Sequence, residues 1–286
     1  MRHWIQSLDR IIRGQATQLP DLQRGTFDVP VGGLSFLLLL LGVFYGACMG
    51  VSAIVTRWAT DKRYMGFEQM FASMAKVPML YFLTLLVTFP SLYVFNTLVG
   101  SRLSMLSVLR LLVAAGGVML TVLASFGPIV AFFALSTTSY PFMQLLNVLL
   151  FSIAGFLSLA FLLRTLDRLT VAQEMAEFLA KPAPEPPVPA TEPTEPPQAH
   201  GPAILTPHVS ALSTLGALDR AHAGPSGAKV TAVFRIWVLV FGLVGAQMSW
   251  VLRPFIGNPD ADFAFLRPRT SNFFEAVFHA ITKLLS

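Results

Sequence analysis

The sequence predicts an all-α integral membrane protein, a bundle of five transmembrane helices bordered by amphipathic interfacial helices. The chain has 286 residues, of which 54% are hydrophobic and only 12% are charged, and its mean hydropathy is +0.64. An ordinary soluble domain is about one quarter charged, so this chain lacks the charge that a soluble surface needs. A bilayer core about 30 Å thick is crossed by roughly 20 apolar helical residues. Five segments reach that length, and none of them contains an Asp or Glu.

The composition also predicts how these elements follow one another along the chain. The five apolar segments that mark the spans are 34–55, 77–99, 106–135, 142–163 and 232–252. Five parts result: an amphipathic N-terminal segment at 1–33, a four-helix transmembrane region at 34–163, a helix extension with a Pro-rich linker at 164–230, the fifth transmembrane helix at 231–255 and an amphipathic C-terminal arm at 256–286. The distribution of Lys and Arg favours a cytoplasmic N-terminus.

Three amphipathic stretches border the spans. The first has an apolar face made of Trp4, Ile5, Leu8, Ile11 and Ile12, and Gly14 is placed to end it. Such a helix either lies flat on the membrane or packs against the bundle. At 56–76, Met and Phe residues at helical spacing between basic residues predict a helix at headgroup level, with a Met-rich partner-binding groove as the alternative. In the C-terminal arm, Asn272 followed by Glu275 predicts a capped helix start.

The linker differs in composition from the rest of the chain. Ten prolines fall between 181 and 207, mixed with Glu, Ala and Thr. This composition has no apolar face to bury, so we expect an extended segment without a packed core. It serves either as a spacer or as a docking segment for a partner domain.

The sequence offers no pattern of residues for catalysis or for metal binding. The histidines and Cys48 lack the spacing that brings several ligands to one ion. We find no phosphate-binding loop and no nucleophile motif. We therefore expect no catalytic residues, no metal, no cofactor and no nucleic-acid partner, and we interpret the protein as a non-enzyme.

Small residues and prolines give more specific predictions. Gly42, Gly46 and Gly50 recur every four positions along the first span and predict a helix-packing face, used either within the chain or for homodimerisation. Pro90 and Pro128 interrupt the second and third spans. We interpret them as packing kinks, with a carbonyl opened to an ion or a water as the alternative.

Basic residues follow the fifth span. Arg253, Arg267 and Arg269 either anchor the chain at the membrane surface or together bind an anionic headgroup or a phosphate-bearing ligand.

Two stretches carry a resemblance to known proteins. The segments KVPMLYFLTLLVTFPSLYVFN (76–96) and GAQMSWVLRPFIG (245–257) are similar to stretches of uncharacterised bacterial multi-pass membrane proteins. The five-span plan resembles, more loosely, Yip-type membrane proteins, whose eukaryotic members act in vesicle traffic with small GTPases. The acidic-aromatic motif expected before the first span of those members has no match in residues 1–33. The trafficking function and its residues are therefore not carried over.

These observations predict a non-enzymatic protein of a bacterial inner membrane with a role in scaffolding or membrane organisation. The alternative is a transporter or channel subunit that handles lipids or small solutes. The expected partners are membrane lipids, together with a protein partner or further copies of the chain.

Overall fold

The computed structural model of the chain describes residues 2–13, 31–57, 63–98, 105–137, 139–180, 225–256, 262–268 and 271–285. These residues form seven helices and no strand. The helices are α1 (Arg2–Ile12), α2 (Val31–Arg57), α3 (Arg63–Leu98), α4 (Met105–Ser136), α5 (Tyr140–Ala180), α6 (Pro225–Val251) and α7 (Phe273–Leu285). The predicted all-α class is thus confirmed for the described residues. Gly14, the Pro-rich linker at 181–207 and Arg269 lie outside them.

Four of the described helices are long and apolar enough to cross a membrane. Their apolar stretches are Val31–Val55, Tyr64–Ser91, Val108–Ser136 and Tyr140–Thr165. In α6 the apolar stretch among the described residues is shorter, Ile236–Val251. The structure is therefore consistent with a multi-pass membrane protein that has four candidate spans, and the predicted count of five is not confirmed.

The largest difference from the predicted elements lies at the start of α3. We expected a separate headgroup-level helix at 56–76 and a span that begins at 77. The structure instead has one continuous helix from Arg63 to Leu98. Three polar side chains in its first half, those of Gln69, Ser73 and Lys76, donate hydrogen bonds to carbonyls inside the protein. The helix can therefore enter the bundle without a break.

The long helices pack in a closed circuit. In this circuit α2 contacts α3, α3 contacts α6, α6 contacts α5, α5 contacts α4, and α4 contacts α2. Hydrogen bonds join neighbours: Tyr81 Oη of α3 donates to the Leu112 carbonyl of α4 at 2.8 Å, and Ser158 Oγ of α5 donates to the Ala115 carbonyl of α4 at 2.7 Å. A hydroxyl bonded in this way avoids the cost of an unsatisfied polar group in an apolar setting.

The predicted glycine face of α2 lies against α3. A Cβ atom built at Gly46 would lie 2.5 Å from the Ser73 carbonyl oxygen, and one at Gly50 would lie 2.6 Å from Met70 Cα. At Gly42 it would lie 3.1 Å from Pro78. Only a residue without a side chain lets the two backbones approach this closely, so the structure places this face inside the chain rather than on the surface.

The prolines lie inside continuous helices. Pro78 and Pro90 are within α3, and Pro128 is within α4. Neither Pro90 nor Pro128 ends its helix, although a proline removes one backbone hydrogen bond.

Helix α1 packs against the bundle. Leu8 and Ile11 are buried, and the Trp4 ring lies against Gly33 at the start of α2. A Cβ atom at Gly117 of α4 would lie 2.9 Å from Leu8 Cδ1. The sequence allowed a helix that lies flat on the membrane or one that packs against the bundle. The structure shows the second arrangement, with α1 in contact with α2 and α4.

Helix α7 begins as the sequence predicts. The Glu275 amide donates to Asn272 Oδ1 at 2.9 Å, which confirms Asn272 as the cap. The helix packs against α5 and α6 and divides its apolar residues between two faces. Phe274, Phe278 and Leu285 are exposed, whereas Phe273 and Val277 face a cavity.

Candidate ligand-binding cavity

A cavity of about 890 Å³ lies within the circuit of helices. Its walls include Met49 of α2, Leu80 of α3, Met119 of α4, Phe151 of α5 and Phe241 of α6. Pockets that hold one small ligand have volumes of about 300–1,000 Å³ and mostly apolar walls. The volume and the lining thus suit a single molecule of moderate size with a large apolar part.

Glycines on α5 and α6 widen the cavity. A Cβ atom built at Gly155 or at Gly242 would have no neighbouring atom within 4 Å, and one at Gly245 would lie 3.6 Å from Thr84 Cγ2. All three glycines line the cavity. Unlike the glycines of α2, they do not permit a close helix contact; they leave space that a larger side chain would fill.

Two polar side chains that line the cavity, those of Asn147 and Thr84, have partners in the protein. Asn147 Oδ1 accepts a hydrogen bond from Tyr45 Oη at 2.8 Å, and Asn147 Nδ2 donates to the Met143 carbonyl at 2.8 Å. Thr84 Oγ1 donates to the Leu80 carbonyl at 2.7 Å. These bonds leave the middle of the cavity with apolar character and tie α5 to α2.

Basic side chains gather at the end of the cavity where α5 begins and α6 ends. Arg253 and Arg267 line this end, and Lys283 and His279 of α7 also line the cavity. Among the described residues that line the cavity there is no Asp or Glu. We call the region defined by Arg253 and Arg267 the basic end.

Arg253 is held in place from two sides. Its guanidinium carbon lies 3.6 Å from the centre of the Trp250 ring, and its Nη2 donates to the Pro268 carbonyl at 2.5 Å. The Trp250 indole in turn donates to the Ser271 carbonyl at 2.5 Å. Burial, and then the like charge of Arg267, lowers the pKa of Arg253 from the ordinary arginine value.

A buried polar cluster on α3 holds the segment that carries Arg253 and Arg267. We call residues 253–256 and 262–268 the strap. Lys76 is fully buried, and its Nζ donates to the Pro254 carbonyl at 2.9 Å and to the Phe265 carbonyl. Its ammonium also lies 4.6 Å from the centre of the Phe265 ring. One side chain thus contacts both described parts of the strap.

Two further side chains of α3 join this cluster. Gln69 Nε2 donates to the Pro254 carbonyl at 3.0 Å, and Ser73 Oγ donates to the Phe255 carbonyl. Carbonyl oxygens that follow the end of a helix lack helical partners, and these three side chains supply donors to them. The strap is consequently fixed across the end of the cavity.

The predicted site residues fall into three groups. Arg253 and Arg267 come together at the basic end, while Arg269 lies outside the described residues. The glycine face of α2 is in the α2–α3 contact, and neither Pro90 nor Pro128 is among the described residues that line the cavity.

Sequence reasoning missed Lys76, which it assigned to the basic border of a headgroup-level helix. The sequence did contain a signal that Lys76 faces the interior: Gln69, Ser73 and Lys76 are four and then three residues apart. Residues with that spacing lie on one face of a helix, which here is the face turned toward the protein interior.

The fold and the cavity together define the class of protein. Over its described residues it is an all-helical protein with four apolar helices long enough to span a membrane. Its cavity has mostly apolar walls and two arginines at one end. Among the described residues, no three side chains of metal-binding type come together. Comparison of the chain with protein-family models, curated proteins and solved structures gives no match. The resemblance to bacterial multi-pass proteins and to the Yip type therefore stays a prediction.

Proposed function

We propose that this protein is a non-enzymatic multi-pass protein of a bacterial inner membrane that binds a lipid-like molecule between its helices. The cavity of about 890 Å³ carries the proposal. A cavity with apolar walls inside a membrane bundle favours a ligand that partitions into the bilayer, because burial of apolar surface is the main source of affinity there.

In this proposal α6 is the fifth span. Its 27 residues correspond to about 40 Å of helix, more than the roughly 30 Å of a bilayer core. The second half of α6 runs beside α3. Trp237 Nε1, in the middle of α6, donates to Ser91 Oγ of α3 at 3.3 Å, and α3 also holds the strap that follows the end of α6. The contact of this apolar half with α3 and α5 supports the assignment of α6 as a span.

Lipid handling corresponds to the transport alternative from the sequence. It requires that a ligand enter and leave the cavity. The described lining includes the exposed residues Ser152 of α5 and Gly242 of α6, so the cavity is open to its surroundings at these two helices.

Scaffolding, the first prediction from the sequence, is the second candidate. One observation favours it: the outer face of α7 exposes Phe274, Phe278 and Leu285, the last of them 82% exposed. Such a face contacts either lipid or a protein partner. The glycine face of α2 no longer supports this candidate, because α3 covers it.

The test is a count of bound lipid on the purified protein. Protein extracted into polymer-bounded nanodiscs and transferred to a neutral detergent should retain about one lipid-like molecule by native mass spectrometry. Gly242→Phe should abolish this retention, because the new ring occupies the cavity without displacing a neighbouring atom at Cβ.

Gly32→Phe is the matched control, since Gly32 is exposed in α2, lies away from the described lining and also has no atom within 4 Å of a built Cβ. It should retain the lipid. Equal retention by Gly242→Phe and the unmodified protein would refute the proposal. A stoichiometric protein partner that stays bound while no lipid is retained would favour scaffolding.

A further inference from the structure

Two positive charges line the basic end of the cavity, those of Arg253 and Arg267. No carboxylate is among the described residues that line the cavity. Arg253 and Arg267 are close enough for the charge of one to disfavour the charge of the other. Two cations held together at the edge of an apolar cavity repel each other. An anion between them attracts both, so the net electrostatic energy of the group becomes favourable.

One atom at this end has an unused hydrogen-bonding capacity. Arg253 Nη1 is buried and has no hydrogen-bond partner among the described residues. Guanidinium N–H groups are strong donors, and a buried donor without an acceptor is destabilising. The Arg253 Nη2 atom already donates to Pro268, so an acceptor on a ligand would give the second terminal nitrogen of the guanidinium a partner as well.

The Arg253 side chain and the backbone of the strap that carries Arg267 are also fixed before any ligand arrives. Trp250 stacks on Arg253, and the Lys76 ammonium holds the carbonyls of Pro254 and Phe265 on the two parts of the strap. Preorganised charged donors bind an anion more tightly than mobile surface side chains, because little side-chain entropy is lost.

The rest of the cavity excludes a small free anion as the complete ligand. Phe241 and Trp250 both line it on α6 and are nine residues apart, which is about 14 Å along a helix. An oxyanion at Arg253 would leave the apolar body near Leu80, Phe151 and Phe241 empty. A ligand that fills both parts has a charged head and an apolar chain.

From this arrangement we infer that the cavity selects a single-chain amphiphile with an anionic phosphate or carboxylate headgroup, bound by Arg253 and Arg267, with its chain between α5 and α6. The inference rests on the proposed function, because it assigns the chemistry of the same ligand. Lys76 acts as a positioning residue that keeps the strap, and with it both arginines, at the end of the cavity.

The experiment compares three probes on the full chain in a neutral detergent. Oleoyl lysophosphatidic acid is anionic, mono-oleoylglycerol has the same chain without the charge, and inorganic phosphate has the charge without the chain. Native mass spectrometry titrations should give an affinity for the first probe at least about tenfold higher than for the second, and no binding of phosphate.

Replacement of both arginines tests the assignment. Arg253→Gln combined with Arg267→Gln should lower the affinity for the anionic probe to that for the neutral probe. The affinity for the neutral probe should not change. Arg164→Gln, which removes an exposed positive charge on α5 outside the cavity lining, is the matched control and should keep the preference. If the double variant fails to fold, the unmodified protein still tests the inference. A higher salt concentration should reduce the difference in affinity between the anionic and the neutral probe, because salt screens the interaction of the headgroup with the arginines.

The outcomes separate this inference from the proposed function. Equal binding of the anionic and neutral probes, both lost in Gly242→Phe, would overturn the inference and leave lipid binding intact. Failure of both probes to bind would overturn both. Binding of inorganic phosphate as tightly as the lysophospholipid would show a site for a free oxyanion and would also overturn the inference.

Discussion

Lys76 and Pro254 are joined by a hydrogen bond of 2.9 Å between residues 178 positions apart in the chain. The bond links the interior of α3 to the residues that follow α6. Lys76 is fully buried, so its ammonium satisfies carbonyls rather than reaching solvent. Through this contact, the position of the strap over the cavity depends on a residue in another helix.

Replacement of this lysine should release the strap. In Lys76→Met the carbonyls of Pro254 and Phe265 lose their donor, at a cost of about 1–3 kcal/mol for the buried contacts. Hydrogen–deuterium exchange should then increase in residues 253–256 and 262–268 and remain unchanged in α4. Arg10→Met, at an exposed position of α1, is the control. Unchanged exchange in the strap of Lys76→Met would contradict its role.

A side chain at Gly46 should separate α2 from α3. The first carbon of Gly46→Leu would collide with the backbone of Ser73, which cannot move away as a flexible side chain can. We expect a loss of about 3 kcal/mol, the upper end for overpacking, and a lower unfolding temperature in detergent. Gly32→Leu, in open space on the same helix, should leave the unfolding temperature within the error of the measurement.

The bond between Tyr45 and Asn147 should contribute modestly to stability. Tyr45→Phe removes only the hydroxyl, which donates to Asn147 Oδ1 at 2.8 Å. Hydrogen bonds between membrane helices contribute about 0.6 kcal/mol on average, so we expect a loss of up to about 1 kcal/mol. A double-mutant cycle with Asn147→Ala, measured by unfolding in mixed micelles, should give a coupling of the same size. Strict additivity of the two changes would contradict a direct bond.

Neighbouring residues of α7 should report different surroundings. Phe278 is 68% exposed on the outer face, whereas Val277 lines the cavity. A fluorescent label on Phe278→Cys, in a protein from which Cys48 has been removed, should be quenched by brominated lipids in the bilayer. The same label on Val277→Cys should be quenched less and should respond to lysophosphatidic acid instead. Equal bromine quenching at both positions would contradict the two-faced arrangement.

Local patterns predicted much of this fold. The apolar runs located three of the four candidate spans closely, because long stretches without Asp or Glu have a single physical explanation in a bilayer. The second candidate span, Tyr64–Ser91, was located only in part, since the prediction began at residue 77. Asn272 was identifiable as a cap because an N-cap bond joins residues three apart in the chain. The spacing of Gly42, Gly46 and Gly50 predicted a packing face but not its partner, since both a second copy and another helix of the chain satisfy it.

Features that depend on distant parts of the chain were not predictable. Arg253 and Arg267 were grouped because both follow the fifth apolar segment, but the cavity they border is formed by six separate helices. Lys76 was misplaced because the rule that excludes charge from a membrane interior ignores buried carbonyls as partners. Its acceptors lie 178 and 189 positions later, and no local pattern indicates that they lie beside it.

The packing of α1 has a consequence for the order in which the protein is made. Leu8 and Ile11 are buried where α1 packs against α2 and α4, and α1 precedes both in the chain, so α1 has no complete binding surface until α4 has been synthesised. Until then its apolar face must be accommodated by lipid or by a chaperone. The insertion of α4 thus sets the moment at which α1 becomes resistant to proteases, and chains truncated before that point are expected to keep a cleavable α1.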